Sequence, residues 1–322
     1  IYSNNKLIVV QIPRKLPVND TQTLTIRTNK GEVSVPFKVN IPQLIVSKVS
    51  NEFANPGDTV RISGDNFDLY ELTEELAEIK IGDTPVNVIE TGRDYIDIEL
   101  PNSLSKTTSV FKISGGKAPK TYEWPYRNME NVLVDYNDVN TYVTFSHWNQ
   151  NDGEGQPVYP YAGEHFVVDG SNTERDPEPI NGPYARFIRT WEATWKNSVM
   201  AQFDIDLTQD MIDNYSIYAV KFELWTHPSY SINGGGAVWL AWFGKDYQWR
   251  PQDEGLPLNT YGKWETIAVP LSKMLNMDSG TGLPNATPGV VRQEFAPGIQ
   301  SPAPLTRNIA LCNIRLEKQS WN

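Results

Sequence analysis

The sequence predicts an all-β protein made of several β-sandwich domains. Short apolar stretches recur along its 322 residues, and the 23 Pro and 22 Gly are spread between them rather than gathered into one tract. Pro and Gly form turns, so their even spread is typical of many short strands joined by tight connections. The length also exceeds what one hydrophobic core usually supports, which predicts two or three domains.

Composition excludes several classes of protein. The net charge of -11 and the pI near 4.9 argue against nucleic acid as a partner, because that partner needs Lys and Arg concentrated on one face. No apolar run reaches the roughly eighteen residues that a membrane-spanning helix requires. Residues 1–10 read as a strand rather than as a leader, which predicts that the sequence begins inside a longer precursor.

The first part of the chain contains an internal repeat. Residues 7–39 can be laid over residues 96–124, because each stretch has an alternating strand, a polar gap, a second strand and a Gly-containing turn. A strand-rich segment precedes the second copy and is missing before the first. The repeat therefore predicts the C-terminal part of one domain over residues 1–41 and a complete domain of the same kind over residues 42–124.

The complete copy carries a recognisable order of motifs. A Pro-Gly-Asp turn stands at 56–58, a strand ends in Ser-Gly-Asp-Asn-Phe at 63–67, and a short Gly-Asp hairpin follows at 82–83. This order resembles the IPT/TIG family of immunoglobulin-like domains, which implies tandem immunoglobulin-like sandwiches in the first 124 residues. Between the motifs, the apolar spacing of residues 72–78 predicts one or two helical turns.

Local chemistry explains why these motifs favour a sandwich. Val60 and Ile62 alternate toward the interior, and Phe67 returns to the core. Gly57 supplies the turn, and we expect Gly64 to permit an unusual backbone angle. At the end of the unit, Pro125 predicts a restricted linker to the next domain.

A larger sandwich is predicted over residues 125–322. Nine of the ten tryptophans follow Tyr126, so the composition changes there. Cys312, the single cysteine, lies in an apolar strand and is predicted to be a buried core residue. Seven strands can be read from the pattern, which is enough for two packed sheets. They cover residues 142–145, 185–190, 200–207, 219–225, 237–243, 265–269 and 309–316.

The surplus of aromatic residues predicts a sugar-binding surface on this domain. Nine Trp and ten Tyr follow Tyr126, more than a core of this size needs, and aromatic surface outside a core usually signals binding. The apolar face of a pyranose can rest on an indole ring while polar side chains bind its hydroxyls. Polar residues are interleaved with these rings. We expect glycan contacts from Trp148, Asn149, Asn151, Asp152, Tyr184, Arg189, Trp191, Trp195 and Trp249.

Each tryptophan could instead anchor a loop onto the sandwich. Trp264 begins a strand and is predicted to be structural, and one of Trp239 and Trp242 is predicted to lie in the core because the two face opposite sides of one strand. Trp225 shares an outward phase with Lys221 and Glu223, which predicts that its ring is exposed.

The patterns at 144–149, 184–188, 247–251 and 264–272 are similar to those of a known C-terminal domain. It belongs to the B-type surface glycan-binding proteins encoded in Bacteroidetes polysaccharide utilisation loci, exemplified by xyloglucan-binding members. The resemblance implies non-catalytic capture of a β-glucan or other β-glycan such as xyloglucan, with the contacts on Trp148 and on Trp191 or Trp195.

The same resemblance implies a place and partners for the protein. These are a lipid anchor on the extracellular face of the cell outer membrane, an outer-membrane glycan transporter, and surface glycoside hydrolases. We expect the protein itself to be a monomer. A polar insertion over residues 169–183 departs from the family pattern.

Catalysis is not predicted, although it stays open as an alternative. A glycoside hydrolase needs two carboxylates at a fixed separation, and the acidic residues of the last domain form no recognisable acid/base signature. His147, His165 and His227 lack metal-ligand spacing, so no metal and no cofactor are predicted. The other alternative is a structural or adhesive cell-surface protein whose last domain binds another protein.

Overall fold

The computed structural model is built from antiparallel β-sheets, which confirms the all-β prediction. It describes residues 2–3, 7–138, 167–191, 195–197, 201–232, 238–242, 245–249, 258–274, 288–296, 298–300 and 305–318. Within these ranges, no helix is long and apolar enough to cross a membrane.

The first forty residues form two hairpins. Strands β1 (Tyr2–Ser3) and β2 (Ile8–Val9) pair with each other, as do β3 (Thr21–Thr28) and β4 (Gly31–Lys38). A turn at residues 29–30 joins the second pair. Arg14 ties this segment to the next unit by donating hydrogen bonds from Nε to Asp68 at 2.6 Å and from Nη2 to Asn66 at 2.7 Å.

The middle unit is a sandwich of two four-stranded sheets. One has the order β5-β6-β10-β9 and the other β12-β11-β7-β8. Both contribute to one core, in which Val60, Ile62 and Phe67 are fully buried as predicted. The strands are β5 (Ile45–Val49), β6 (Thr59–Asp65), β7 (Ala77–Ile81), β8 (Thr84–Pro85), β9 (Asn87–Thr91), β10 (Tyr95–Glu99), β11 (Ser109–Gly115) and β12 (Tyr122–Tyr126).

Three local predictions for this unit need correction. Residues 74–76 form a single turn and not a helix, because Ala77 and Glu78 already belong to β7. Gly57 has the left-handed φ of 87° that its turn requires, but Gly64 has no positive φ. A Cβ on Gly64 would lie 1.9 Å from the Ile45 carbonyl oxygen, so close strand packing demands this glycine. Pro125 is buried inside β12 and is not in a linker.

The last domain, called the head below, contains a six-stranded and a four-stranded sheet. The first has the order β14-β15-β24-β18-β21, with β13 also pairing with β24, and the second β17-β22-β19-β20. The strands are β13 (Val132–Val134), β14 (Val167–Val168), β15 (Tyr184–Trp191), β16 (Trp195–Asn197), β17 (Ala201–Leu207), β18 (Tyr218–Thr226), β19 (Val238–Trp242), β20 (Lys245–Trp249), β21 (Trp264–Pro270), β22 (Gly289–Ala296), β23 (Gly298–Gln300) and β24 (Leu305–Lys318).

Short helices connect some of these strands. They are α1 (Gln209–Asp213), α2 (Leu271–Met274), and two single 3-10 turns at Met129–Asn131 and Tyr215–Ile217. Six of the seven predicted head strands are present, and β24 is longer than predicted. The strand predicted at 142–145 lies outside the described residues.

Strand β18 shows how the two faces of the six-stranded sheet differ. Successive side chains of a strand point to opposite faces, so Val220, Phe222 and Leu224 share one face. They join the head core with Ile205 and Leu207 of β17. The alternate residues of β18 point to the other face, which is covered by the middle unit. The six-stranded sheet is therefore buried on both sides.

Because the second face is covered, three side chains for which the sequence made predictions are buried. Trp225 has the predicted outward phase, but only 8% of it is exposed, so the prediction of an exposed ring is wrong. Trp264 is buried and donates its indole N–H to the Glu178 carbonyl at 2.8 Å, which confirms its structural role. Cys312 is also buried, as predicted.

Candidate functional site

The candidate site lies where several strands of the head meet at one edge. Because neighbouring strands are antiparallel, the end of β15, the start of β24, the end of β18 and the start of β21 all lie at the same edge of the sheet. We call this edge the loop edge. Trp191 ends β15 opposite Leu305, and Arg189 pairs with Arg307. Trp195 begins β16 opposite Gln300.

Arg307 belongs to this edge and was missed by the sequence analysis. It is 1% exposed, and its Nη1 donates to the Ser231 carbonyl at 3.1 Å. Among the described residues, no acceptor is found for its Nε and Nη2. Burial lowers its pKa to about 10, which still leaves it charged at neutral pH. The only feature of the sequence that could have singled out Arg307 is its charge, since it stands at the start of an otherwise apolar strand.

Tyr184 does not offer a ring to a ligand. It is fully buried, its ring packs edge-on against Trp264 with centroids 5.3 Å apart, and its hydroxyl donates to the Pro177 carbonyl at 2.5 Å. Burial raises the pKa of this phenol above its ordinary value. We therefore treat Tyr184 as a core residue instead of the predicted glycan contact.

The other predicted contacts stay predictions. Trp148, Asn149, Asn151 and Asp152 lie outside the described residues. Trp249 ends β20 opposite Val238, and its backbone position is described. In the same way the backbone alone places Arg189, Trp191 and Trp195 on their strands.

The predicted insertion, residues 169–183, folds as a strap across the second face of the six-stranded sheet. Arg186 holds the strap from β15 by donating Nε to Asp176 at 3.2 Å and Nη2 to the Arg175 carbonyl at 2.9 Å. Both Arg186 and Asp176 are buried. Arg186 also donates Nη1 to the Ile309 carbonyl of β24 at 2.8 Å, so strap and sheet are joined.

Arg127 joins the strap to the middle unit. Its Nη1 donates to the Ile180 carbonyl of the strap at 2.9 Å, and its Nη2 donates to the Phe53 carbonyl at 2.7 Å and to Asn55 Oδ1 at 2.9 Å. The Phe53 ring itself lies in the head core and is fully buried. The middle unit thus contributes a side chain to the head, which fixes the two units relative to each other.

A buried cluster of five charged side chains lies at the same junction. Lys221 donates to Glu52 at 2.7 Å and lies 3.1 Å from Glu317. Arg315 donates to Glu52 at 2.7 Å and to both oxygens of Glu223 at 2.9 and 3.0 Å. None of these side chains is more than 3% exposed. We call these five residues the junction cluster.

Two of the three carboxylates in this cluster, Glu52 and Glu223, have pKa values shifted in opposite directions. Burial opposes ionisation of Glu52, but Lys221 and Arg315 outweigh it and hold the pKa of Glu52 below its ordinary value. Burial dominates at Glu223 and raises its pKa, although Arg315 opposes this. The cluster contains three acids and two bases, and the charge of Glu223 is less well compensated than that of Glu52.

A polar cleft of about 790 Å³ opens between the strap, the middle unit and the head. Two ion pairs join its charged side chains, the bidentate contact of Arg61 with Asp97 at 2.6 and 2.7 Å and the contact of Lys48 with Glu265 at 3.9 Å. Trp225 and Trp264 reach its wall but are at most 9% exposed. Among the residues that the structure describes, the cleft therefore presents no ring face on which a sugar could rest. Among the described residues, no cluster of His, Cys, Asp and Glu could hold a metal ion.

Residues 126–318 match the family described as surface glycan-binding protein B xyloglucan binding domain. The search of curated proteins found no match.

Solved structures share the fold over most of the chain. The surface glycan-binding protein PbSGBP-B from Prevotella bryantii is 16% identical with a TM-score of 0.59, over 96% of this chain and 84% of that one. SGBP-B from a complex xyloglucan utilisation locus in Bacteroides uniformis is 18% identical with a TM-score of 0.52, over 94% and 80%. A structure with xylogluco-oligosaccharide is 18% identical with a TM-score of 0.53, over 94% and 64%.

Proposed function

The chain belongs to the surface glycan-binding protein B family, a family of non-catalytic glycan-binding proteins of the cell surface, and we propose that its head captures a xyloglucan or related β-glucan at the loop edge. The family match over residues 126–318 carries this proposal. It is supported by the xylogluco-oligosaccharide in one of the structures with the same fold. The loop edge is favoured over the polar cleft because the predicted platform residues Trp191 and Trp195 lie on strands that end or begin there.

In the proposed site, indole rings carry the sugar chain and polar side chains select its hydroxyls. Trp148, Trp191 and Trp195 are the proposed platforms, with Trp249 as a fourth. Arg189 is a proposed donor to hydroxyls, together with the polar group that follows Trp148. That group consists of Asn149, Asn151 and Asp152.

The first two units are proposed to be immunoglobulin-like modules that hold the head away from the cell. The unit over residues 42–124 has two four-stranded sheets around one core, and the hairpin β3–β4 corresponds to its last hairpin, β11–β12. The junction cluster and the strap would keep the head in one orientation on the middle unit. We further propose a lipid anchor on the outer membrane, with a glycan transporter and surface glycoside hydrolases as partners.

Electrophoresis in native gels that contain a polysaccharide tests the proposal. Xyloglucan or mixed-linkage β-glucan should retard the protein, whereas starch, an α-glucan, should not. Trp191→Ala and Trp148→Ala should each reduce the retardation, because loss of one stacking ring costs on the order of a tenfold drop in affinity. Val290→Ala, which truncates an exposed side chain of β22, is the control and should migrate like the wild type. Absence of retardation by every β-glucan would contradict the proposal.

A further inference from the structure

The loop edge holds an exposed aromatic ring that the sequence analysis did not select. Tyr261 lies in the connection that leads into β21, and 72% of it is exposed. An exposed aromatic residue alone is ordinary in a soluble protein. Tyr261 differs because its backbone has a φ of 51°, the left-handed conformation that a bulky residue rarely adopts.

Hydrogen bonds to a neighbouring segment, which begins at Thr226, hold this backbone in place. The Gly262 amide donates to the Thr226 carbonyl at 3.0 Å, and the Thr260 amide donates to Thr226 Oγ1 at 2.7 Å. The Tyr261 amide donates to Asn259 Oδ1 at 2.7 Å, and Asn259 Nδ2 donates to the Pro228 carbonyl at 2.8 Å. The polar groups around Tyr261 are thus used to fix the loop, while its ring is left open to solvent.

The neighbouring segment, residues 226–232, is itself anchored to the sheet. The His227 amide donates to the Asn308 carbonyl of β24, and the Ile232 amide donates to the Leu258 carbonyl. Arg307 donates to the Ser231 carbonyl from the same strand. The ring of Tyr230, a half-exposed residue, lies 5.2 Å from the His227 ring. The aromatic side chains of this segment therefore stand on a rigid base.

The geometry points to Tyr261 as a further stacking platform for the glycan chain, in continuation of the proposed site at the end of β15. Trp191 lies opposite Leu305 and Thr226 opposite Ile309 on the two sides of β24. Four residues along the strand and two strand spacings put the Cα atoms of Trp191 and Thr226 roughly 17 Å apart. Tyr261 lies beside Thr226, because its two neighbours in the chain are hydrogen-bonded to that residue. A chain of several sugar units can span this distance. Strain kept at an exposed position is a feature of functional sites.

This inference rests on the proposed function and makes a separate prediction. A ligand long enough to reach from Trp191 to Tyr261 gains a second ring, whereas a short one does not. Tyr261 should therefore contribute to the affinity for xyloglucan polymer and long xylogluco-oligosaccharides, but not to the affinity for a single repeat of the oligosaccharide. The contribution should come from the ring and not from the hydroxyl group.

Three variants at one position test this by isothermal titration calorimetry. Tyr261→Phe should bind both ligands like the wild type. Tyr261→Ala should bind the polymer about tenfold more weakly and the single repeat unchanged. Tyr261→Gly should show the same loss, while its unfolding midpoint is equal to or higher than that of the wild type, because glycine adopts a positive φ without strain. Binding is then weakened without a loss of stability, which a general folding defect cannot produce.

Three results would overturn the inference, and each has a different meaning. If the wild type binds the polymer and Tyr261→Gly binds it equally well, Tyr261 is no platform while the proposed function stands. If the wild type binds neither ligand, both the platform and the proposed function fail. Equal losses for the polymer and the single repeat would also contradict the proposed separation of the two rings.

Discussion

Removal of Arg315 should destabilise the protein in a way that depends on pH. In the Arg315→Met variant, Glu52 keeps its contacts with Lys221 and with the Trp124 indole N–H at 2.7 Å. Glu223 loses its cationic partner and keeps the hydroxyl donor Thr266 at 2.9 Å. An ionised carboxylate is too costly at a fully buried position, so Glu223 should take up a proton.

The cost of that protonation can be worked out from the ordinary pKa of 4.5. If Glu223 is protonated in the folded state and has its ordinary pKa in the unfolded state, this protonation costs about 3 kcal/mol of stability at pH 7. At pH 5 the cost is less than about 1 kcal/mol. The folded-state pKa of Glu223 is raised, so its contribution to stability is present below the unfolded pKa and is lost as the pH rises. The stability deficit of Arg315→Met should therefore be largest at pH 7 and shrink toward pH 5.

Urea unfolding followed by tryptophan fluorescence at several pH values measures this deficit. Adding Glu223→Gln to Arg315→Met should remove most of the pH dependence, because the group that titrates is then gone. Arg27→Met is the matched control. It removes an arginine from an ion pair with Glu32, but the Arg27 side chain is 78% exposed, and an exposed pair contributes little to stability. A deficit of less than about 1 kcal/mol at pH 7, or one that grows as the pH falls, would refute this reasoning.

Other buried features give further predictions. Asp176→Ala should lower the thermal unfolding midpoint by the equivalent of about 3–5 kcal/mol, because the buried Arg186 loses its carboxylate partner, whereas Glu174→Ala on the exposed part of the strap should not. Cys312 should resist Ellman's reagent at pH 8 until urea is added, because burial raises the pKa of its thiol; rapid labelling of the native protein would contradict this. Gly64→Ala should cost about 2–3 kcal/mol in urea unfolding, and a neutral effect would exclude the close packing described above.

Much of the fold follows from local patterns in the sequence. The alternation of β18 and the apolar stretch around Cys312 fixed the position of two central strands, because a strand period of two residues is set by neighbouring residues alone. The phase of Trp225 was also predicted. Its burial could not be predicted, because the guanidinium of Arg186, which lies 5.0 Å from the centre of the Trp225 ring, comes from a different strand, β15. Local alternation tells which face a side chain shares but not what lies over that face.

The candidate site was predictable to a smaller extent. Trp191 was selected by its place at the end of an apolar strand, and the family match supports the function assigned to that domain. Tyr261 carries no comparable signal, since its positive φ is held by hydrogen bonds that the Thr260 and Gly262 amides donate to the distant Thr226. Arg307 was missed for the same reason, because the strand pairing that places it opposite Arg189 is a long-range property.

Titration of the wild-type protein with xyloglucan, followed by an assay of the same mixture for new reducing ends, tests the central claim most directly. We predict saturable binding and an unchanged number of reducing ends after prolonged incubation. Release of new ends that depends on the protein, or the absence of any binding to xyloglucan and mixed-linkage β-glucan, would contradict the account.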